Sequence, residues 1–262
     1  MKKYTYYMMV LVGLTMSMQS CKKFLEEDVY SQLAPENFLT TQEGLESVLF
    51  ASYASTANML TNNSIYTIGL NEFTTDIMIQ SGDTPEATIL QYTNFQFHPT
   101  LDFLSMNFDV PYQGIRNANI VLESADKAQV SDAQKKLYKA EARFLRAVNY
   151  FKLYSLFGAV PLRTSTTQDL AMARATDADM KSFIESELLA VLPDLPETGK
   201  EVAYGRAHNN AARGFLMKFY MNTKQWQKAA DMAQVIISTN KFKLFDQYVN
   251  MFKVENERNT EY

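Results

Sequence analysis

The chain has 262 residues, of which 47% are hydrophobic and 21% are charged, and its formal net charge at pH 7 is -4. This composition supports a packed core and excludes an intrinsically disordered chain. The acidic balance argues against a nucleic-acid-binding protein, which would present a basic face. The length suits one large domain or two small ones.

The first twenty residues have the three-part layout of a cleaved signal peptide. Lys2 and Lys3 come first, an apolar stretch follows over residues 8–14, and small and polar residues lead up to Ser20. The apolar stretch is shorter than the roughly 20 residues that a helix needs to cross a bilayer. The sequence therefore predicts an exported protein from which residues 1–20 are removed.

Cys21 is the only cysteine of the chain and follows this leader directly. Residues 18–21, Met-Gln-Ser-Cys, are a loose version of a lipobox, in which the cysteine becomes the acylated first residue of the mature protein. A lone cysteine cannot form an intramolecular disulfide bond, which favours lipidation of Cys21 over the alternative of a stray thiol in an ordinary secreted protein. We interpret residues 21–40 as an N-terminal tether and residues 41–262 as one helical domain.

Helix starts are predicted where a hydroxyl residue precedes a Glu, Gln or Asp by three positions, as in a capping box. These pairs are Thr40 with Glu43, Ser131 with Gln134, and Thr176 with Asp179. The first pair opens a predicted helix over residues 41–57. The second opens the longest run of apolar residues at helical spacing, which stops at Gly158, and the third opens a helix that stops at Pro193.

The helical pattern breaks between residues 62 and 100, where turn-forming residues dominate. We expect exposed loop there, with a little helix near residues 70–79, and functional loops tend to occur in such segments. A helix resumes near Asp109, where Pro111 fits only if it lies in the first turn.

The last two predicted helices, residues 207–222 and 224–238, have the spacing of a tetratricopeptide hairpin. The residues that match are Leu216, Tyr220, Trp226, Ala229 and Ala233. We expect Trp226 to fill the bend and the two alanines to let the helices approach closely. The predicted fold is mainly α, with tetratricopeptide-like helical hairpins and long irregular loops.

Residues that could carry catalysis are scarce. His98 and His208 lie far apart in the sequence without metal-ligand spacing, and nucleophile, phosphate-binding and dinucleotide-binding motifs are absent from the sequence. We therefore predict a non-catalytic protein without a metal or other cofactor. The basic residues Lys135, Lys139, Arg143 and Arg146 follow helical spacing, and we expect them to form a solvated helix face.

Two neighbouring segments carry a resemblance to a known family. Glu-Ala-Arg-Phe-Leu-Arg-Ala at residues 141–147 and Leu-Phe-Gly-Ala-Val-Pro-Leu at residues 156–162 resemble the signature helix and exit turn of the SusD/RagB family, the nutrient-binding surface lipoproteins of Bacteroidetes. Further blocks fit in the same order: Cys21 with Phe24-Leu25-Glu26, residues 35–38, Thr75-Asp76, residues 112–119 and the hairpin at residues 211–237.

The resemblance implies a helical body held by its N-terminal lipid on the outer leaflet of the outer membrane. Members of the family bind oligosaccharides or other nutrients without cleaving them and cap a TonB-dependent, SusC-like transporter. Chains of the family continue well beyond the length of this one, so the sequence is expected to represent the N-terminal half.

Candidate ligand contacts lie in the irregular segment and are Asp76, Gln80, Asp83 and Tyr92, with a role as plain loop residues as the alternative. Two other functions stay open. One is a tetratricopeptide-like scaffold that binds a protein partner without binding a ligand. The other is a surface hydrolase, which would need two carboxylates about 5 to 9 Å apart across a cleft.

Overall fold

The computed structural model describes residues 35–58, 69–78, 86–169, 171–257 and 259. The regular elements of these residues are all helical, which confirms the predicted fold class. The chain divides into two compact units, Met1–Phe38 and Leu39–Tyr262. In the first unit the structure describes one helical turn, α1 (Pro35–Phe38). The predicted signal peptide, Cys21 and most of the tether lie outside the described residues.

Helix α2 (Gln42–Ala57) begins one residue later than predicted, and its cap is Thr41 instead of Thr40. The Oγ1 atom of Thr41 accepts a hydrogen bond from the backbone N–H of Gly44 at 3.0 Å. Thr40 is held elsewhere, because its carbonyl accepts a hydrogen bond from the N–H of Gln129 at 2.7 Å. This contact leaves Thr41 with the extended backbone that an N-cap requires.

The segment predicted as loop contains more helix than expected. Residues 69–72 form a helical turn, and α3 covers Glu86–Thr93. A small core separate from the main one organises them, with buried side chains from Phe73, Ile89, Tyr92 and Leu101. These apolar residues have no regular spacing in the sequence, so periodicity could not predict the core that they form together.

Helix α4 (Asp102–Ser124) begins well before the predicted start near Asp109, and Pro111 lies inside it rather than in its first turn. A proline inside a helix costs about 3 kcal/mol relative to alanine. Burial offsets that cost, because Ile115, Ala118 and Val121 have 1% or less of their surface exposed. Tertiary packing therefore overrides the local preference at Pro111.

Helices α5 (Asp132–Phe157) and α6 (Asp177–Val191) begin at the predicted caps. Ser131 accepts from the N–H of Gln134 while the Gln134 side chain accepts from the N–H of Ser131. Thr176 accepts from the N–H of Asp179 at 3.1 Å. Helix α5 is central, since it packs against α2, α4 and α6.

Helices α2, α4 and α5 meet at Gly114. A Cβ atom on Gly114 would lie 2.7 Å from Nδ2 of Asn149 on α5. The Gly114 carbonyl accepts a hydrogen bond from the Ser52 hydroxyl at 2.9 Å, and Nδ2 of Asn149 donates to Oγ1 of Thr56 at 2.8 Å. The absence of a side chain at residue 114 thus permits a buried polar contact among the three helices.

Helices α7 (Asn209–Asn222) and α8 (Trp226–Ser238) form the predicted hairpin, each starting two residues later than expected. Leu216 and Phe219 on α7 are fully buried. The expectation for Trp226 is wrong, because 62% of its surface is exposed. Trp226 is the first residue of α8 and lies at the end of the hairpin contact, whereas Ala229, one turn later, is buried. The chain continues into the short α9 (Tyr248–Met251) and a 3₁₀ turn at Val254–Asn256.

Candidate functional site: an aromatic loop and a neighbouring cavity

The end of α3 projects a phenylalanine into solvent. The N–H of Gln96 bonds the carbonyl of Gln91, and the N–H of Phe95 bonds the carbonyl of Tyr92, which is the pattern of a Schellman cap. This cap needs a left-handed residue, usually glycine, and Phe95 occupies it with φ of 57°. A left-handed conformation costs an L-residue about 1–2 kcal/mol. Phe95 is therefore held in a strained conformation that leaves 65% of its surface exposed.

Residues 94–100, here called the aromatic loop, also expose Phe97, with 47% of its surface accessible. The Phe95 and Phe97 rings meet edge to face with centroids 6.1 Å apart, and Phe97 packs on Tyr92 at 5.7 Å. His98 stands beside them, since its two ring nitrogens lie 2.8 Å from Oγ1 of Thr100 and 2.9 Å from Oε1 of Gln91. The loop thus presents two apolar rings and a positioned polar ring to solvent.

Two of the four predicted ligand contacts fall on described residues. Asp76 is exposed in the bend that follows the helical turn at residues 69–72. Tyr92 is fully buried in the small core, so it presents no ring face to a ligand in this structure. Gln80 and Asp83 lie outside the described residues. The exposed rings of this segment come instead from Phe95 and Phe97, and the left-handed position of the turn is taken by Phe95 rather than by the preceding Asn94, which the sequence favours there.

A cavity of about 490 Å³ lies beside α4. One wall is α4 and the other is the segment that follows α5, residues 159–169, here called the exit loop. The cavity, here called the exit cavity, is lined among others by Phe108, Tyr112, Arg116, Asn119, Arg163 and Gln168. Its volume lies within the range of small-molecule sites, roughly 300–1,000 Å³. Phe108 follows Leu101 by seven residues, so the cavity opens about 10 Å along α4 from the end of the aromatic loop.

Side chains from α4 and α5 fix the exit loop. The Tyr112 hydroxyl donates to the carbonyl of Pro161 at 2.6 Å. The Asn119 amide and the Tyr150 hydroxyl both donate to the carbonyl of Arg163, at 3.2 and 2.8 Å. These bonds satisfy backbone groups that would otherwise need water. The second wall of the exit cavity is therefore preorganised.

Within the exit loop, Gln168 ties the backbone together, since its Oε1 accepts from the N–H groups of Thr164 and Ser165 at 2.6 and 2.9 Å. Thr166 donates to the carboxylate of Glu123 through both its N–H and its hydroxyl. Burial alone would raise the pKa of Glu123, but the hydrogen bonds from Thr166 lower it below its ordinary value. Burial also raises the pKa of the Tyr112 hydroxyl to about 12, so it donates as a neutral phenol.

A buried ionic network supports the cavity from beneath, which corrects the expectation of a solvated basic face. Arg146 is only 7% exposed, and its guanidinium bonds the Glu187 carboxylate at 2.6 and 3.0 Å. Its third nitrogen donates to Oδ1 of Asn119 at 2.8 Å and to the carbonyl of Thr164 at 3.3 Å. Arg143 bonds the same carboxylate at 2.8 Å. Arg146 is thus a positioning residue that joins α4, α5, α6 and the exit loop.

Groups of three or more metal-binding side chains do not occur within the described ranges. In the same part of the chain, no helix is both long and apolar enough to cross a bilayer.

His98 lies on the aromatic loop, whereas His208 caps α7 by accepting from the N–H of Ala211 at 3.1 Å. The exposed rings of the aromatic loop can stack on a ligand, and the polar side chains that line the exit cavity can hydrogen-bond it.

Comparison with known proteins agrees with this architecture. Residues 23–221 match the SusD-like family model described as "Starch-binding associating with outer membrane". A SusD-like protein, P25, of Formosa agariphila is 29% identical over 96% of this chain and 50% of its own length. The starch-binding protein SusD of Bacteroides thetaiotaomicron is 24% identical over 74% of this chain and 35% of its own.

Solved structures show the same fold. A laminarin-binding SusD-like protein superposes with a TM-score of 0.75 at 26% identity, over 84% of this chain and 50% of that one. A surface glycan-binding protein A from Bacteroides uniformis superposes with a TM-score of 0.72 at 22% identity, over 83% and 50%. This chain spans about half the length, or less, of the curated relatives it matches. On the match over residues 23–221, the chain belongs to the SusD-like family.

Proposed function

We propose that this protein captures glycans at the bacterial surface without cleaving them. The observation that carries the proposal is the aromatic loop, where a strained Schellman cap holds Phe95 in solvent beside Phe97. The C–H faces of a sugar ring pack on exposed aromatic rings, and neighbouring polar groups bond its hydroxyls. Exposed aromatic side chains on a loop above a rigid scaffold are typical of binding surfaces.

Laminarin and starch are the first ligands to test, because relatives of this chain are named for binding them. The experiment is affinity electrophoresis of the purified protein in gels containing laminarin, starch or no polysaccharide, with serum albumin as the migration control. We expect retardation in at least one glycan gel and no new reducing ends after prolonged incubation. Unchanged migration on a broad glycan panel would contradict capture, and release of reducing ends would favour the hydrolase.

We also propose a SusC-like outer-membrane transporter as the protein partner. Support comes from α8, where Trp226 and Ile237 lie on one face of the helix, eleven residues apart, and are 62% and 66% exposed. Exposed apolar patches mark protein-interaction sites. Ile237→Lys should reduce co-purification of a β-barrel transporter from native membranes, whereas Asp231→Lys, at an exposed polar position about 120° around the same helix, should not. Partner binding without any glycan binding would favour the scaffold.

Attachment to the outer membrane through a lipid on Cys21 is the remaining part of the proposal. Cys21→Ala should release the protein from the outer-membrane fraction, because the acylated residue is lost. Ser20→Ala keeps a small residue before the cysteine and should remain membrane-bound. Continued fractionation of the Cys21→Ala protein with that membrane, also after transporter deletion, would show that the lipobox interpretation is wrong.

A further inference from the structure

We propose that the exit cavity binds an anionic group, a carboxylate or a sulfate, carried on a sugar ring. This inference rests on glycan capture as the proposed function and adds a ligand class and a second site.

Arg116 supplies the exposed positive charge of the cavity. It lies on α4 one turn beyond Tyr112, on the face that lines the cavity. Among the described residues, no carboxylate lies within 4.0 Å of its guanidinium. This differs from Arg146 and Arg206, whose side chains are each 9% exposed and bond carboxylates at 2.6 and 2.7 Å. Arg116 is therefore available to an anion from solution.

Arg163 brings a second guanidinium to the opposite wall. The carbon of its guanidinium lies 5.9 Å from the centre of the Tyr112 ring, a cation–π arrangement. The backbone of Arg163 is held by Asn119 and Tyr150, as described above, so the start of its side chain is fixed. Arg163 has a further interaction of its own, so the paired hydrogen bonds by which a planar guanidinium matches carboxylate or sulfate oxygens are assigned to Arg116. The two arginines thus face one cavity from two walls.

The rest of the lining suits a sugar ring rather than a bare inorganic anion. Phe108 and Tyr112 supply an apolar wall, with ring centres 5.0 Å apart. Asp109 and Gln113 lie one turn apart on the same wall and offer polar groups to hydroxyls. Asp109 precedes Arg116 by two helical turns, about 10 Å along the axis. Asp109 and Arg116 therefore lie at the two ends of the α4 wall, with Tyr112 and Gln113 between them.

The charges around the cavity are not evenly paired. The Glu123 carboxylate beside the lining is engaged by Thr166, and Asp109 lies about two turns from Arg116 on α4. The Arg116 guanidinium therefore presents a local positive charge that attracts an anion. Long-range attraction cannot produce this selectivity, because the protein as a whole repels anions.

The test compares matched ligands that differ in charge alone. Isothermal titration calorimetry would use polygalacturonate against its methyl ester, and dextran sulfate against dextran. Arg116→Gln removes the exposed cation of the α4 wall, and Lys241→Gln removes an exposed cation elsewhere as the control. We expect each charged polymer that binds to bind at least tenfold more tightly than its neutral partner. Arg116→Gln should weaken that binding about tenfold, Lys241→Gln should change it less than twofold, and added salt should weaken it.

The outcomes separate this inference from the proposed function. Binding of polygalacturonate alone, or of dextran sulfate alone, identifies the recognised group as carboxylate or sulfate. Laminarin or starch binding that depends on Phe95, with equal affinity for charged and neutral partners, would overturn the inference and leave glycan capture intact. Charged-polymer binding that Arg116→Gln does not weaken would also overturn it. Binding that depends on Arg116 without any neutral-glycan binding would support anion binding in the exit cavity and contradict glycan capture by the aromatic loop. Binding of no polymer contradicts both.

Discussion

The core of the helical body and the end of the segment of residues 69–101 place their aromatic side chains in opposite environments. In the body, Tyr150 and Phe219 are fully buried, and Arg146 and Glu141 are enclosed in ion pairs. In the segment, Phe95 and Phe97 are exposed on a strained turn. The buried polar groups of the body stabilise its packing, whereas the aromatic loop keeps its rings available for a ligand.

The largest effect expected in this comparison is the loss of the buried ion pair at Arg146. Arg146→Ala leaves Glu187 buried with Arg143 as its remaining ion-pair partner. We expect the free energy of unfolding to fall by about 3 kcal/mol, the lower end of the range for a broken buried pair, because Glu187 stays partly compensated. Urea denaturation measures the change. Lys136, whose side chain is 64% exposed, pairs with Asp194, and Lys136→Ala should cost less than about 1 kcal/mol. Equal losses in the two variants would show that the network under the exit cavity is not a structural core.

Two glycine-to-alanine substitutions should change the free energy of unfolding in opposite directions. Gly114→Ala places a Cβ against the Asn149 amide at 2.7 Å, and we expect a loss of about 1–3 kcal/mol from overpacking. Gly214→Ala on α7 meets nothing within 4 Å and should gain about 0.5–1 kcal/mol, because alanine favours the helix. Thermal melts of both variants test this. A stabilised Gly114→Ala protein would contradict the close approach of α4 and α5.

A smaller effect depends on pH at the start of α7. Burial lowers the pKa of His208 below its ordinary value, although Glu201 opposes the shift, and its neutral ring caps the helix. The unfolded chain therefore binds a proton at His208 near the ordinary histidine pKa, whereas the folded chain binds it only at lower pH. Stability should fall as pH decreases through that range.

His208→Asn is the matched control for this pH effect, because asparagine caps a helix without titrating. The decrease in melting temperature between pH 7.5 and pH 5.5 should be smaller in His208→Asn than in the natural protein. An identical decrease in both proteins would assign the pH dependence to other groups.

The sequence predicted the helices whose signals are local. Ser131 and Thr176 cap α5 and α6 as expected, because a hydroxyl and its partner lie within one turn. It failed where the deciding contact comes from elsewhere in the chain. Thr41 caps α2 since Thr40 is held by Gln129, and Pro111 lies inside α4 because its neighbours are buried. The local sequence pattern carries no information about either of these distant contacts.

The candidate site was less predictable than the fold. Arg146 is one of four basic residues whose helical spacing is typical of a solvated helix face. Its burial depends on the ion pair with Glu187, which is distant in the sequence. Tyr92 and Phe95 lie three positions apart, yet one is buried and the other exposed, because a helix ends between them. A phenylalanine in a left-handed cap carries no sequence signal, so Phe95 could be recognised only from its backbone.

We expect the aromatic loop to bind glycan while the helices hold it in place. The variant that removes the exposed ring of this loop is Phe95→Gly. Glycine removes the exposed ring and relieves the left-handed strain at φ of 57°. The measurement is retardation in the glycan gel that retards the natural protein, together with the melting temperature. We expect retardation to fall sharply while the melting temperature stays equal or rises. Trp226→Ala, which removes an exposed aromatic from the body, should keep full retardation. Undiminished retardation of the Phe95→Gly protein would contradict the account.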